Sequence, residues 1–88
     1  GYPGLAPLAL AMPPEEAFAK VVATARATAD WRLLREDPAT RAVEGVATSR
    51  LFRFQDDFVI EVRAAETGGS LVQMRSKSRD GRGDMGAN

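Results

Sequence analysis

The C-terminal stretch Arg75-Ser76-Lys77-Ser78-Arg79-Asp80-Gly81-Arg82-Gly83-Asp84-Met85-Gly86-Ala87-Asn88 carries the densest polar chemistry in the chain. Cations alternate with serines as far as Arg79, and a glycine-rich run follows. Gly81, Gly83 and Gly86 permit backbone N–H groups to converge on an anion. The guanidinium groups add charge-assisted hydrogen bonds to a phosphate or carboxylate. Arg75, Ser76, Ser78, Arg79, Gly81, Asp84 and Asn88 are therefore the candidate residues for a small anion. No phosphate-loop signature accompanies them. A structural alternative uses the same residues differently: the glycines turn the chain, Asp84 bonds an arginine or a backbone amide, and Asn88 caps a following helix. Arg82-Gly83-Asp84 also spells an adhesion tripeptide, but a match of three residues arises often by chance.

A second candidate is the polar trio Glu44, Arg63 and Arg75. In an extended strand Glu44 shares the parity of Val46, Phe52 and Phe54, so it faces the interior unless Gly45 bulges the strand. A carboxylate there needs an arginine partner, and Arg63 and Arg75 are the nearest. Such a cluster either holds a ligand or locks the sheet together. Asp56 and Asp57 read as a turn in which the two carboxylates point in different directions. A hard cation wants about six oxygen ligands, so a weak calcium site would also need Glu44 or Glu61. The alternative is turn chemistry, with an aspartate bonding its own backbone.

Histidine and cysteine are absent. That removes the usual general base at neutral pH, the commonest metal ligand, the thiol nucleophile and every disulfide. A Ser-His-Asp triad cannot be assembled. Catalysis would rest on Glu44 or Asp84 as base, with serine as the nucleophile. The composition therefore points to a non-catalytic module without cofactor or metal, and an enzyme using carboxylate acid/base chemistry is the alternative. Twelve basic residues balance twelve acidic ones, so a nucleic-acid or anionic-membrane partner has no bulk electrostatic support. No stretch approaches the length of a membrane span. Leu5 to Met12 is apolar but contains Pro7 and lacks a charged leader, so it does not read as a signal peptide. Membrane attachment would have to come through segments outside this chain.

The C-terminal residues also carry a likeness. Arg75, Ser76, Ser78, Arg79, Gly81, Asp84, Gly86 and Asn88 fall on a pattern of approximately R-S-x-S-R-x-G-x-x-D-x-G-x-N, which resembles the signature of the domain of unknown function 1499 family. Upstream features are similar too: Tyr2-Pro3, Pro13-Pro14-Glu15, Trp31, Val43-Glu44-Gly45 and Phe54-Gln55-Asp56-Asp57. The likeness spans nearly the whole chain. Gly45 departs from it, since many relatives carry alanine there, and relatives usually continue past Asn88 into a helix. The resemblance implies a bacterial, envelope-associated origin and implies no activity.

These side chains need a frame to position them. The length suits one domain, in which residues 1–13 form an extended segment, 14–78 a helix and sheet, and 79–88 a glycine-rich polar segment. Pro3, Pro7, Pro13 and Pro14 forbid a helix at the start. From Pro14 to about Ala29 the residues Ala17, Phe18, Val21, Val22 and Ala25 recur at helical spacing. After Asp30 the spacing becomes alternating. Strands are expected at Trp31–Glu36 (with Trp31, Leu33 and Arg35 on one face), Arg41–Phe54, Phe58–Ala65 and Ser70–Ser78. Turns fall at Asp37-Pro38-Ala39-Thr40, Gln55-Asp56-Asp57 and Thr67-Gly68-Gly69. A three-residue loop, Thr67-Gly68-Gly69, keeps the apolar residues of the last hairpin on one face, with Val62 opposite Met74 and Glu61 opposite Arg75. The expected fold is α+β: an N-terminal helix on a four-stranded antiparallel meander, with a C-terminal helix beyond Asn88 to finish the cover.

The chain reads as excised, since it starts in a loop and stops without a closing element. A helix on a curved sheet can enclose an apolar cavity, here expected to be lined by Phe18, Trp31, Phe52, Phe54 and Phe58. The leading functional expectation is an envelope-associated module binding a small anion, an apolar ligand or a protein partner. A purely structural or assembly role is the further alternative.

Overall fold

A computed structural model of the chain describes residues 6–49 and 54–79. Six elements follow in order: β1 (Leu8–Leu10), α1 (Pro14–Ala27), β2 (Trp31–Asp37), β3 (Ala42–Thr48), β4 (Gln55–Ala64) and β5 (Ser70–Ser78). All five strands are antiparallel and form one sheet in the order β1-β5-β4-β3-β2, with α1 across one face. The class is α+β as expected, with five strands rather than four. The helix expected beyond Asn88 lies outside the described residues. No helix among them is long and apolar enough to cross a membrane.

α1 starts where proline is tolerated. Pro14 occupies its first turn, Ala17 N donates to Pro13 O at 2.9 Å, and Glu15 and Glu16 sit at the positive end of the dipole. It ends two residues earlier than Ala29 because Thr28 is extended and Asp30 takes a positive φ of 67°, which aspartate tolerates. Trp31 N then donates to Thr28 O at 3.3 Å as the chain enters β2. Ala17 and Ala25 are fully buried, and their small side chains let the helix approach the sheet. Phe18, Val21 and Val22 pack with Trp31, Leu33, Val72 and Met74 around Val43, Phe58 and Ile60.

The sheet's phase follows from one close approach. Gly45 pairs with Leu33 on one side and Phe58 on the other. A Cβ there would stand 2.6 Å from the Phe58 ring and 2.5 Å from the Arg32 carbonyl oxygen. The ring instead fills that space and meets Trp31 with centroids 4.5 Å apart. Val43, Gly45 and Ala47 therefore face the helix, and Glu44 faces away and is exposed. This corrects the interior placement expected for Glu44. The bulge lies in β2, where the register shifts between Leu33 and Arg35. Leu34 is left 53% exposed. Arg35 is turned from the helix side, and Glu36 replaces it there, accepting a hydrogen bond from Arg26 Nε at 3.0 Å.

Two connections also differ from expectation. β3 stops at Thr48, and Gln55, Asp56 and Asp57 begin β4 instead of forming a turn. Ser49 N donates to Phe54 O at 2.7 Å, so the reversal lies before Gln55. Arg79 Nε holds Asp57 Oδ1 at 3.1 Å, which suits a strand position facing solvent. In the last hairpin the loop has three residues as expected, but they are Glu66, Thr67 and Gly68. Ala65 N donates to Gly69 O at 2.9 Å and Gly68 carries the positive φ of 99°. Parity is kept and the register moves by two residues: Val62 pairs with Val72, Ile60 with Met74 and Glu61 with Gln73. The first turn behaves as read, with Asp37 Oδ1 accepting from Ala39 N at 3.1 Å.

The N-terminal segment, expected as extended chain, contributes a strand to the sheet. Leu8 and Leu10 pair with Val72 and Ser70, adding β1 to the edge of β5. Ser70 is fully buried, and its hydroxyl donates to Met12 O. Gly69 leaves room for the Leu10 carbonyl, which would lie 2.2 Å from an added Cβ.

Gly45→Ala is expected to lower stability by about 1–3 kcal/mol through overpacking, read as a lower urea midpoint with an unchanged slope. Gly69→Ala is expected to release β1 selectively. Amide exchange at Leu8 and Leu10 would accelerate at least about tenfold while Ile60 and Val62 stay protected.

Candidate functional site

The two faces of the sheet offer different chemistry. Antiparallel alternation places Arg75, Lys77 and Arg79 on the face away from α1, and Ser76 and Ser78 on the other, where Ser76 pairs with Phe58. The serines and arginines of the candidate anion set therefore cannot meet one ligand from within β5. Gly81, Asp84 and Asn88 lie outside the described residues, as do Gly83, Gly86 and the Arg82-Gly83-Asp84 tripeptide.

On the open face Arg75 and Arg79 already hold carboxylates. Arg75 Nη2 donates to Glu61 Oε1 at 3.0 Å, reaching diagonally across the register. Arg79 pairs with Asp57, and Arg35 with Asp37 at 3.5 Å. The trio Glu44, Arg63 and Arg75 is not assembled. Glu44 and Arg75 flank Val59 on opposite sides, about 10 Å apart. Arg63 is exposed beside Leu71, about 13 Å further along β4. Glu44 instead borders a shallow polar hollow of about 270 Å³ with Arg35, Asp37, Thr40 and Glu61. Asp56 and Asp57 project to opposite faces of β4. Among the described residues no three acidic side chains gather closely enough to hold a metal ion.

The concave feature lies on the other face. Between α1 and the β4-β5-β1 side of the sheet lies an apolar cleft of about 310 Å³. Leu8, Leu10, Val72, Met74, Ile60 and Trp31 form its floor and end. Val21 and Ala25 of α1 form the inner wall, and Lys20, Thr24 and Thr28 the rim. Of the aromatic residues expected around a cavity, Trp31 alone takes part. Phe18 and Phe58 are packed in the core, Phe54 is 38% exposed, and Phe52 lies outside the described residues. Apart from Trp31, sequence patterning named none of the residues that line the cleft, Leu8, Leu10, Lys20, Thr24, Thr28 and Met74 included. The available signal was Lys20, Thr24 and Thr28 recurring every four residues beside the apolar stripe.

The ion pair on the open face behaves as a clamp between strands. In a double-mutant cycle, Glu61→Gln and Arg75→Gln should couple by less than about 1 kcal/mol in thermal unfolding. The coupling should shrink at 1 M salt.

Comparison with known proteins gives one finding. A family model described as "Protein of unknown function (DUF1499)" matches residues 1–88. No curated protein and no solved structure matches the chain.

Proposed function

We propose, from the premise that the chain belongs to the DUF1499 family, that it is a non-catalytic binding module whose cleft beneath α1 takes a small apolar ligand. The observation that carries this reading is the cleft itself. Its volume falls at the lower end of small-molecule sites, and its floor is built from aliphatic side chains that face open space. Two features favour it over the alternatives. Glu44, the candidate base among the described residues, is exposed to water on the opposite face of the sheet. The open sheet face is crossed by ion pairs and is not a flat apolar surface for docking a partner. An envelope setting, implied by the family resemblance, belongs to the same proposal and suits an apolar ligand.

Trp31 is the single tryptophan and stands at the end of the cleft, so its fluorescence reports occupancy. Titration with neutral N-phenylnaphthylamine is expected to change Trp31 emission saturably at one probe per chain. Thr24→Phe, which projects a ring into the cleft from an exposed helix position, should abolish the change while leaving the unfolding midpoint in place. Absence of saturable binding by the native chain, or equal binding by both proteins, overturns the proposal. Native mass spectrometry of the protein purified from its host gives the class of any retained ligand.

A further inference from the structure

We infer that the cleft selects a single-chain aliphatic acid, with its carboxylate at Lys20 and its tail directed at Trp31; the inference rests on the cleft reading above. Lys20 and Thr24 stand one turn apart along the same side of α1, and Thr28, the residue after its last turn, continues the row. The span from Lys20 to Thr28 is about 12 Å along the helix axis, the reach of an extended acyl chain of medium length. Trp31 is tied to Thr28 by its backbone hydrogen bond, so the indole marks the end of the cleft remote from Lys20.

Charge gives the polarity. Among the described residues, Lys20 is the only ionisable one bordering the cleft. Arg26, Arg35, Arg41, Arg75 and Arg79 are each paired with a carboxylate. Among the described residues no carboxylate pairs with Lys20. Its methylene stem can lie along the apolar wall with the ammonium at the rim, where an anionic headgroup would remain partly hydrated. The tail would displace water from Leu8, Leu10, Ile60, Val72 and Met74. A space of about 310 Å³ has room for one such chain.

The test compares decanoate and decyltrimethylammonium, each below its critical micelle concentration, with decanol below its solubility limit, by Trp31 emission of the full chain. The native protein is expected to bind decanoate about three- to fivefold tighter than decanol, the range of a solvent-exposed ion pair, and the cation most weakly. Lys20→Met should erase the preference for the acid without weakening decanol binding. Lys20→Arg should keep it. Lys20 is exposed, so neither variant disturbs the core. Equal affinity for acid and alcohol in the native protein overturns the charge selection and leaves the apolar cleft standing. No response to either compound overturns both readings. Sedimentation with phosphatidylglycerol vesicles, in the absence of any response to soluble decanoate, would assign the face to a bilayer and overturn the inference.

Discussion

The ring of Phe58 occupies the space where a side chain at position 45 would stand, and that exclusion phases the sheet. With Gly45 turned inward, Val43 and Ala47 must face the helix, and Glu44 must face solvent. The same ring fixes β4, so Ile60 and Val62 point inward with it, and the odd-numbered loop carries that phase into Val72 and Met74. Trp31 closes the stack from β2. A side chain period of two makes this an all-or-none choice: a slip by one residue would bury Glu44, Glu61 and Arg75 and expose the entire core.

Local alternation and local turn chemistry were legible in the sequence. The apolar stripe of α1, the alternation of Phe58, Ile60 and Val62, the bounds of β5 and the parity of the last hairpin all follow from neighbours in the chain. What was not legible depends on residues far apart. Glu44 has the parity of Val46, and only the contact of Gly45 with Phe58 decides which set faces inward. The β2 bulge follows from pairing with β3, not from anything in Trp31–Asp37 taken alone. Asp56 and Asp57 read as turn residues because that is their commonest local use, yet Arg79 and the β3 register hold them extended. β1 was visible only as an extended segment, since its pairing needs the cavity at Gly69 and the hydroxyl of Ser70, both remote in sequence.

The candidate site divides in the same way. The serine–cation alternation near the C-terminus is conspicuous as a string of residues, but a strand sends its two halves to opposite faces. Arg75 and Arg79 then serve the sheet through Glu61 and Asp57. The cleft has no motif at all. It lies where α1 leaves the β4-β5-β1 side of the sheet uncovered, and β1 brings Leu8 and Leu10 to its floor. Binding capacity here is a property of how layers are offset, which no window along the chain can register.

The irregularity at Leu34 has a bearing on the outer margin of the molecule. β2 is the last strand of the sheet, so its outward amide and carbonyl groups are a template on which another chain can lengthen the ladder. A misstep in its middle interrupts that template after Leu33, and the flanking Arg32 and Arg35 add repulsion toward a like neighbour. Recruitment of a foreign strand along this border is thereby discouraged, and the exposed leucine stands as the visible trace of a guard against aggregation.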